Sequence, residues 1–387
     1  MKKHFVFFLT AAFLCFSGTA WAQEPIKIGA FFALSGPAAP IGTPTKLVAE
    51  MVVEQINKDG GINGRLMELV VADTESDPQK ALLAARRLVE REKIVALVGP
   101  TRTDTGMAVK AYLHQKQVPT VMTVGGDPVI MGGRFGDFDW IFKSPQRSSV
   151  AVRRVYEFLQ SRGASKVGLL TASDGFGKDG LSWLNSLAPE YGITIVSEEQ
   201  FAPTDTDMTT QLVKIREASP DFIICWTIGP AAALVSKNVR QLNLDIPLMH
   251  CHGIPDPNFL ELAGDAAEGA YMPSTKLMAA DQLPENDPQK EIVQEFIRLY
   301  KDVYQVERQY PMNTHSGYAW DAIMLIAEAL RKAGPENPEA LRKAIEQTSG
   351  YVGVSGTFTL TPEDHNGLDT DSLVILKVEQ GRWIVQP

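Results

Sequence analysis

Short apolar runs alternate with longer stretches of helical periodicity along most of this chain. The first two runs, 26–32 and 66–72, are brief and end in turn residues, which is typical of buried strands. Runs of the same kind recur to the end of the chain. The predicted strands span 26–32, 66–72, 94–98, 118–122, 166–171, 193–198, 221–227, 247–250, 356–360 and 373–378.

Helical patterns separate most of these strands. The predicted helices end near Lys58, Arg91 and Leu242 or span 107–113, 148–162, 181–191, 208–218, 290–306, 317–332 and 338–348. Strands that alternate with helices predict a parallel sheet covered by helices on both faces. Because a new series starts after Trp140–Pro145, the sequence predicts two Rossmann-like α/β halves in succession.

Polar, glycine-rich loops follow two neighbouring strands of the first half. Strand 94–98 leads through Gly99-Pro100 into the hydroxyl-rich turn 101–105, and strand 118–122 leads into the turn 123–128. In open α/β sheets, ligands bind at the carboxyl ends of the strands. Threonine hydroxyls, backbone N–H groups and a helix N-terminus together suit a small anion such as a carboxylate. We therefore expect this unit to form half of a small-molecule cleft.

The N-terminal segment has the pattern of a secretory signal. Lys2 and Lys3 precede an apolar run over 5–16, and Ala20-Trp21-Ala22 offers small residues at the −3 and −1 positions of a cleavage site. The alternative is an uncleaved anchor, but the run falls short of the roughly 20 residues that a bilayer requires. Residues 1–22 are thus predicted to be a signal peptide, which places the mature protein in the periplasm.

Composition narrows the choice of partners and of stabilising chemistry. The 387 residues carry 37 basic and 46 acidic side chains, a net charge of −9, which argues against nucleic acid or an anionic membrane as the partner. Cys225 and Cys251 remain after cleavage, near the ends of predicted strands. They form either one disulfide or two buried thiols, and stability must come mainly from packing.

Several short pieces of sequence carry a family resemblance through their order and spacing. These pieces are 26–37, 56–64, Asp73 with Asp77-Pro78, 98–100, 174–177, Asp207, Pro220-Asp221, Gly317-Tyr318 and Asp321-Ala322. Together they resemble the type I periplasmic solute-binding proteins of ABC importers, in the leucine/isoleucine/valine-binding family, over nearly the whole mature chain.

The resemblance implies two lobes joined by three hinge crossings, near Phe142–Pro145, Ala270–Ser274 and Gly353–Gly356. Lobe 1 would comprise 26–143 plus 274–352, and lobe 2 would comprise 144–273 plus 353–387. A ligand that touches both lobes closes the hinge, and an ABC permease in the membrane recognises the closed form.

The resemblance also implies the site. In the family, the loops that match 101–103 and 123–126 hold the α-carboxylate and α-amino groups of an amino acid. Phe176 stands where a tyrosine is usual, Ile41 also replaces a tyrosine, and His252 lies at or near the position of an acid that pairs with the ammonium. The expected ligand-binding residues are Thr101, Arg102, Thr103, Thr123, Gly125, Gly126, Phe176, Trp226 and His252.

These departures leave two ligand classes open. One is a leucine-like amino acid, and the other is an aromatic or aliphatic acid without an α-amine, for which Arg102 offers a bidentate partner. The structural alternatives are that Phe176 and Trp226 are core aromatics, that Arg102 is a solvated loop charge, and that the threonines only cap helices and turns.

Two further motifs suggest other functions. Residues 175–180 read G-x-G-x-x-G, as in a dinucleotide-binding loop, but Ser173-Asp174 puts an acid beside the would-be pyrophosphate. His250-Cys251-His252 has zinc-ligand residues without a third ligand at a metal spacing. We therefore expect no cofactor, no metal and no enzymatic activity. A binding module that serves a separate sensor is the alternative to an importer subunit.

Overall fold

A computed structural model describes residues 23–387 of the protein, and the predicted signal peptide, 1–22, lies outside the described residues. The strands are β1 Ile26–Phe32, β2 Met67–Asp73, β3 Ala96–Val98, β4 Thr120–Met122, β5 Ile141–Lys143, β6 Lys166–Ala172, β7 Thr194–Phe201, β8 Phe222–Trp226, β9 Leu248–His250, β10 Tyr271–Thr275, β11 Tyr351–Val352, β12 Thr357–Phe358, β13 Leu373–Glu379 and β14 Arg382–Gln386. The helices are α1 Ala39–Lys58, α2 Pro78–Glu90, α3 Thr103–Lys116, α4 Ser148–Ser161, α5 Gly175–Leu187, α6 Thr209–Glu217, α7 Pro230–Gln241, α8 Pro257–Ala263, α9 Lys290–Arg298, α10 Thr314–Ala333 and α11 Pro338–Glu346.

The first sheet is parallel, with the order β2-β1-β3-β4-β5. Alternate residues of β1 point to opposite faces, so that Ile28 packs with α1 and α10 whereas Phe31 packs with α2 and α3. Helices cover both faces, which explains why its strands read as continuous apolar runs. None of the helices in the range 23–387 combines the length and the apolar character needed to cross a membrane.

The second sheet has the order β14-β13-β10-β9-β8-β6-β7. The strands from β10 to β7 pair in parallel, whereas β13 and β14 add an antiparallel edge. Two apolar layers again lie on opposite faces. This is the predicted α/β architecture of two parallel-sheet units flanked by helices.

The chain passes between the two sheets three times. The passages lie between Lys143 and Ser148, between Thr275 and Lys290, and between Leu368 and Leu373. The third is placed there because Leu368 still packs in the core of the first sheet, whereas Leu373 packs in that of the second.

Helix α5 differs most from its predicted position. Its start was predicted near Leu181, but it begins at Gly175, because the carboxylate of Asp174 accepts a hydrogen bond of 2.9 Å from the N–H of Gly177 and caps the first turn. This first turn was not predicted, because residues 175–180 contain three glycines and glycine has a low helical propensity. The G-x-G-x-x-G motif thus lies inside a helix.

Candidate functional site

A small cavity of about 20 Å³ lies where strand ends of the two sheets face each other. The loops after β3 and β4 form one wall, and the start of α5 with the loops after β8 and β9 forms the other. Its lining residues are Thr101, Thr103, Thr123, Gly125, Pro145, Phe176, Ile228, His252, Gly253, His315 and Tyr318. The threonines, Gly125, Phe176 and His252 were predicted from the sequence, and the other five were not.

Three predicted site residues do not line the cavity. Gly126 lies beside Thr103, and Trp226 is fully buried behind Phe176. The guanidinium of Arg102 is turned to its own helix, where Nε and Nη2 each lie 3.0 Å from the carboxylate oxygens of Asp104. Its Nη2 also lies 3.5 Å from the carboxylate of Asp174, the residue that caps α5. The bidentate face of Arg102 is therefore occupied by Asp104.

The three threonine hydroxyls play different hydrogen-bonding roles. The Oγ1 atoms of Thr101 and Thr103 accept the N–H groups of Ala33 and Gly126, at 3.0 and 3.1 Å. The hydroxyl protons of Thr101 and Thr103 are therefore available for donation to a ligand. Thr123 instead donates its proton to the carbonyl oxygen of Pro100 at 2.9 Å. The wall thus offers two O–H donors, which suit the lone pairs of a carboxylate.

The opposite wall is aromatic. The ring of His252 lies 5.7 Å from that of Phe176 and 5.6 Å from that of Trp226, measured between centroids. Burial, and then the positive charge of Lys143, lower the pKa of His252 to about 3, so the imidazole is neutral at physiological pH. Gly180 of α5 packs directly on the indole of Trp226, where a larger side chain has no room.

A fully buried charge network supports the cavity from behind. The Nζ atom of Lys143 donates to the carbonyl oxygens of Gly125 and Gln146, at 2.5 and 3.1 Å, and lies 3.4 Å from the Asp127 carboxylate. Asp127 in turn accepts the N–H of Ser148 at 2.7 Å. These residues fix the loop after β4. None of these roles was predicted from the sequence, because charged residues near turns are usually solvated.

Two larger chambers adjoin the cavity. One of about 540 Å³ shares Gly253 and His315 with it, and its apolar lining includes Leu34, Ile41, Pro230, Ile254, Phe259 and Pro311. The His315 Nε2 atom lies 3.2 Å from the Gly253 carbonyl oxygen. Since both residues line both spaces, this contact forms the partition between them, the His315–Gly253 partition. The other chamber, of about 430 Å³, shares Thr103 and carries the basic side chains of Arg134 and Lys178.

Neither of the remaining motifs assembles a cofactor site. Within residues 23–387, no three His, Cys, Asp or Glu side chains are arranged to hold a metal ion. His250 does not line the cavity: its ring packs against Phe259, and its Nε2 atom lies 3.0 Å from the hydroxyl oxygen of Ser236. Cys225 and Cys251 are free thiols, and they belong to the apolar layers on opposite faces of the second sheet.

Two parallel-sheet units, linked by three passages and enclosing a cavity between their strand ends, define the class of type I periplasmic solute-binding proteins. Comparison with known proteins agrees: the profile of the periplasmic binding protein family matches residues 25–382, and the chain belongs to that family.

The relatives are distant in sequence and close in fold. The leucine-, isoleucine-, valine-, threonine- and alanine-binding protein of Pseudomonas aeruginosa is 24% identical over 89% of this chain and 90% of its own length. An extracellular ligand-binding receptor from Rhodopseudomonas palustris is 26% identical, with a TM-score of 0.85 over 94% of this chain and 100% of that one. A branched-chain amino acid transporter substrate binding protein from Streptococcus pneumoniae, solved with isoleucine, shares the fold at 23% identity and a TM-score of 0.79, over 94% and 100% of the two chains.

Proposed function

We propose that this protein is a periplasmic solute-binding subunit that captures a small carboxylate, an amino acid or a related acid, and delivers it to an ABC permease. The observation that carries the proposal is that one cavity is lined by hydroxyl donors from the first sheet and by Phe176 and His252 from the second. A guest that contacts both walls binds the closed arrangement better than an open one, and so shifts the equilibrium toward closure.

The proposed pose places the carboxylate against Thr101 and Thr103 and the hydrocarbon body in the chamber lined by Ile41. That chamber shares lining residues from both sheets, and its lining contains no lysine or arginine. The cavity of about 20 Å³ holds little more than a water molecule, so a ligand must displace the His315–Gly253 partition.

Hydrogen bonds and apolar burial are sufficient for micromolar affinity without a metal ion. Micromolar affinity corresponds to about −8 kcal/mol. Hydrogen bonds to a charged group contribute roughly 1.5–3 kcal/mol each, and burial of an apolar side chain adds about 1.5–3 kcal/mol. We propose 26–143 plus 274–368 and 144–273 plus 373–387 as the moving bodies. The third hinge thus shifts from 353–356 to 369–372, because Phe358, Leu360 and Leu368 still pack in the first core.

Delivery to a permease is supported by similarity to transporter proteins, among them an ABC transporter substrate-binding protein from Sphaerobacter thermophilus at 23% identity. The test of ligand capture is a thermal-shift screen of the mature chain against aliphatic and aromatic carboxylates and amino acids, followed by calorimetry of each hit. A ligand that binds only the native state raises the unfolding temperature. If no carboxylate raises it, the proposed function is wrong.

A further inference from the structure

The polar groups that line the cavity suit a carboxylate better than an ammonium group. We infer that the ligand is a carboxylic acid that lacks an α-ammonium group, an inference that rests on the proposed function. An α-amino acid carries both charges on one carbon, so a site that encloses its carboxylate must also enclose its ammonium. Burying an ammonium without a partner is costly.

No acidic side chain meets such an ammonium. Among the residues that the structure describes, the cavity lining contains neither aspartate nor glutamate. Three nearby carboxylates have other partners. Asp127 faces Lys143, Asp174 caps α5 and faces Arg102, and Asp256, which lines the adjoining chamber, accepts the N–H of Asn258 at 2.8 Å. Glu261, the other acidic residue of that chamber, is exposed to solvent and does not line the cavity.

The local field also disfavours a cation. Lys143 is buried directly behind Gly125, and its charge is one of the causes that lower the pKa of His252. The potential that opposes a proton on His252 opposes an ammonium beside it and favours a carboxylate. Asp127 partly offsets this effect.

His252 is the residue that faces this position. It is 1% exposed, it lines the cavity, and its Nδ1 has no hydrogen-bond partner within residues 23–387. A neutral imidazole among Phe176 and Trp226 offers apolar surface and one polar atom to the α-carbon region of a ligand. That surface accommodates a methylene group, which needs no partner.

The inference is tested with matched pairs that differ only in the amine: 4-methylpentanoate against leucine, and 3-phenylpropanoate against phenylalanine. Calorimetry at pH 7 is expected to show at least tenfold tighter binding of the amine-free member in whichever pair fits the chamber. Equal or tighter binding of the amino acid overturns the inference but leaves the proposed function standing. If no member of either pair binds and the wider screen also finds no carboxylate, the proposed function fails instead.

A variant at position 252 tests whether the absence of an acidic side chain there causes the preference for an amine-free acid. His252→Glu places a carboxylate beside the α-carbon and is expected to shift the preference at least tenfold toward the amino acid. His252→Gln, which stays neutral, is the matched control and should retain the preference for the amine-free acid. An unchanged preference in a folded His252→Glu protein overturns the inference. If that variant fails to fold, the wild-type pairs alone decide.

Discussion

The N–H of Asp127 donates a hydrogen bond of 2.9 Å to the carboxylate of Asp179, across the boundary between the two sheets. Asp127 follows β4, whereas Asp179 lies in α5, so this bond fastens the loop behind the cavity to the opposite unit. It also brings two buried carboxyl groups together. Burial, and then the negative charge of Asp127, raise the pKa of Asp179 from 3.8 to about 7.

This raised pKa makes stability depend on pH. Between about pH 4 and 7 the folded protein keeps a proton on Asp179 that the unfolded chain releases, so the contribution of this group falls as the pH rises through that window. Asp179→Asn keeps an acceptor oxygen and stays neutral. We expect it to stabilise the protein by about 1–2 kcal/mol at pH 8, with a smaller gain below pH 5. Thermal unfolding from pH 4 to 8 measures the difference.

The control is Asp245→Asn, at an exposed position on the same unit, which should follow the wild-type profile at every pH. A gain for Asp179→Asn that does not vary with pH would mean that Asp179 is ionised in the folded protein.

The hydroxyl of Thr103 is expected to contribute to affinity through its free proton. Thr103→Val removes that donor and should weaken binding of the best carboxylate about tenfold or more, as expected for one hydrogen bond to a charged group. Thr103→Ser keeps the hydroxyl and is the matched control. Calorimetry on both variants decides, and equal loss in the two would show that the methyl group, not the donor, is important.

The strands were predictable where local pattern decides the structure. The apolar run 26–32 coincides with β1, because both faces of that strand are covered. Strands β5 and β10 were not predicted, since the apolar run around β5 spans only 140–142 and β10 contains Pro273. Their positions depend on neighbouring strands that are distant in sequence.

Only part of the candidate site could be predicted, because the rest also depends on contacts between residues that are distant in sequence. Thr101 and Thr123 follow strands of one sheet, so topology alone places them together. His315 and Tyr318 enter from α10, nearly 200 residues later in the chain. Gly317-Tyr318 contributed to the family resemblance, but the resemblance did not predict that Tyr318 lines the cavity. The pairing of Arg102 with Asp104 depends on rotamers, which the sequence does not determine.

The two cysteines are expected to stay reduced in the folded protein. Cys225 and Cys251 pack on opposite faces of one sheet, and burial raises the pKa of Cys251 to about 12. Thiolates are the reactive species, so both should resist a thiol reagent such as Ellman's reagent until the chain unfolds. Adding a reductant should leave the unfolding temperature unchanged. A lower temperature in reductant would show that a disulfide forms.

Closure of the cleft is expected to depend on the absence of a side chain at Gly125. A Cβ atom built there would lie 2.6 Å from the Cε2 atom of Phe176, which belongs to the opposite wall. In the proposed hinge motion, opening of the cleft separates these two residues. Gly125→Ala should therefore weaken ligand binding about tenfold or more by penalising closure, while the ligand-free unfolding temperature changes little.

A second substitution shows whether this clash is the cause. In a Phe176→Leu background, whose smaller side chain relieves the contact, adding Gly125→Ala should cost much less affinity than it does in the wild type. Gly132→Ala is the glycine control, because its Cβ would lie 3.4 Å from the nearest atom, Phe138 Cε1. Calorimetry on the four proteins of the cycle gives the coupling. If Gly125→Ala binds as tightly as the wild type, Phe176 does not press on this loop in the liganded protein, and the proposed closed site is wrong.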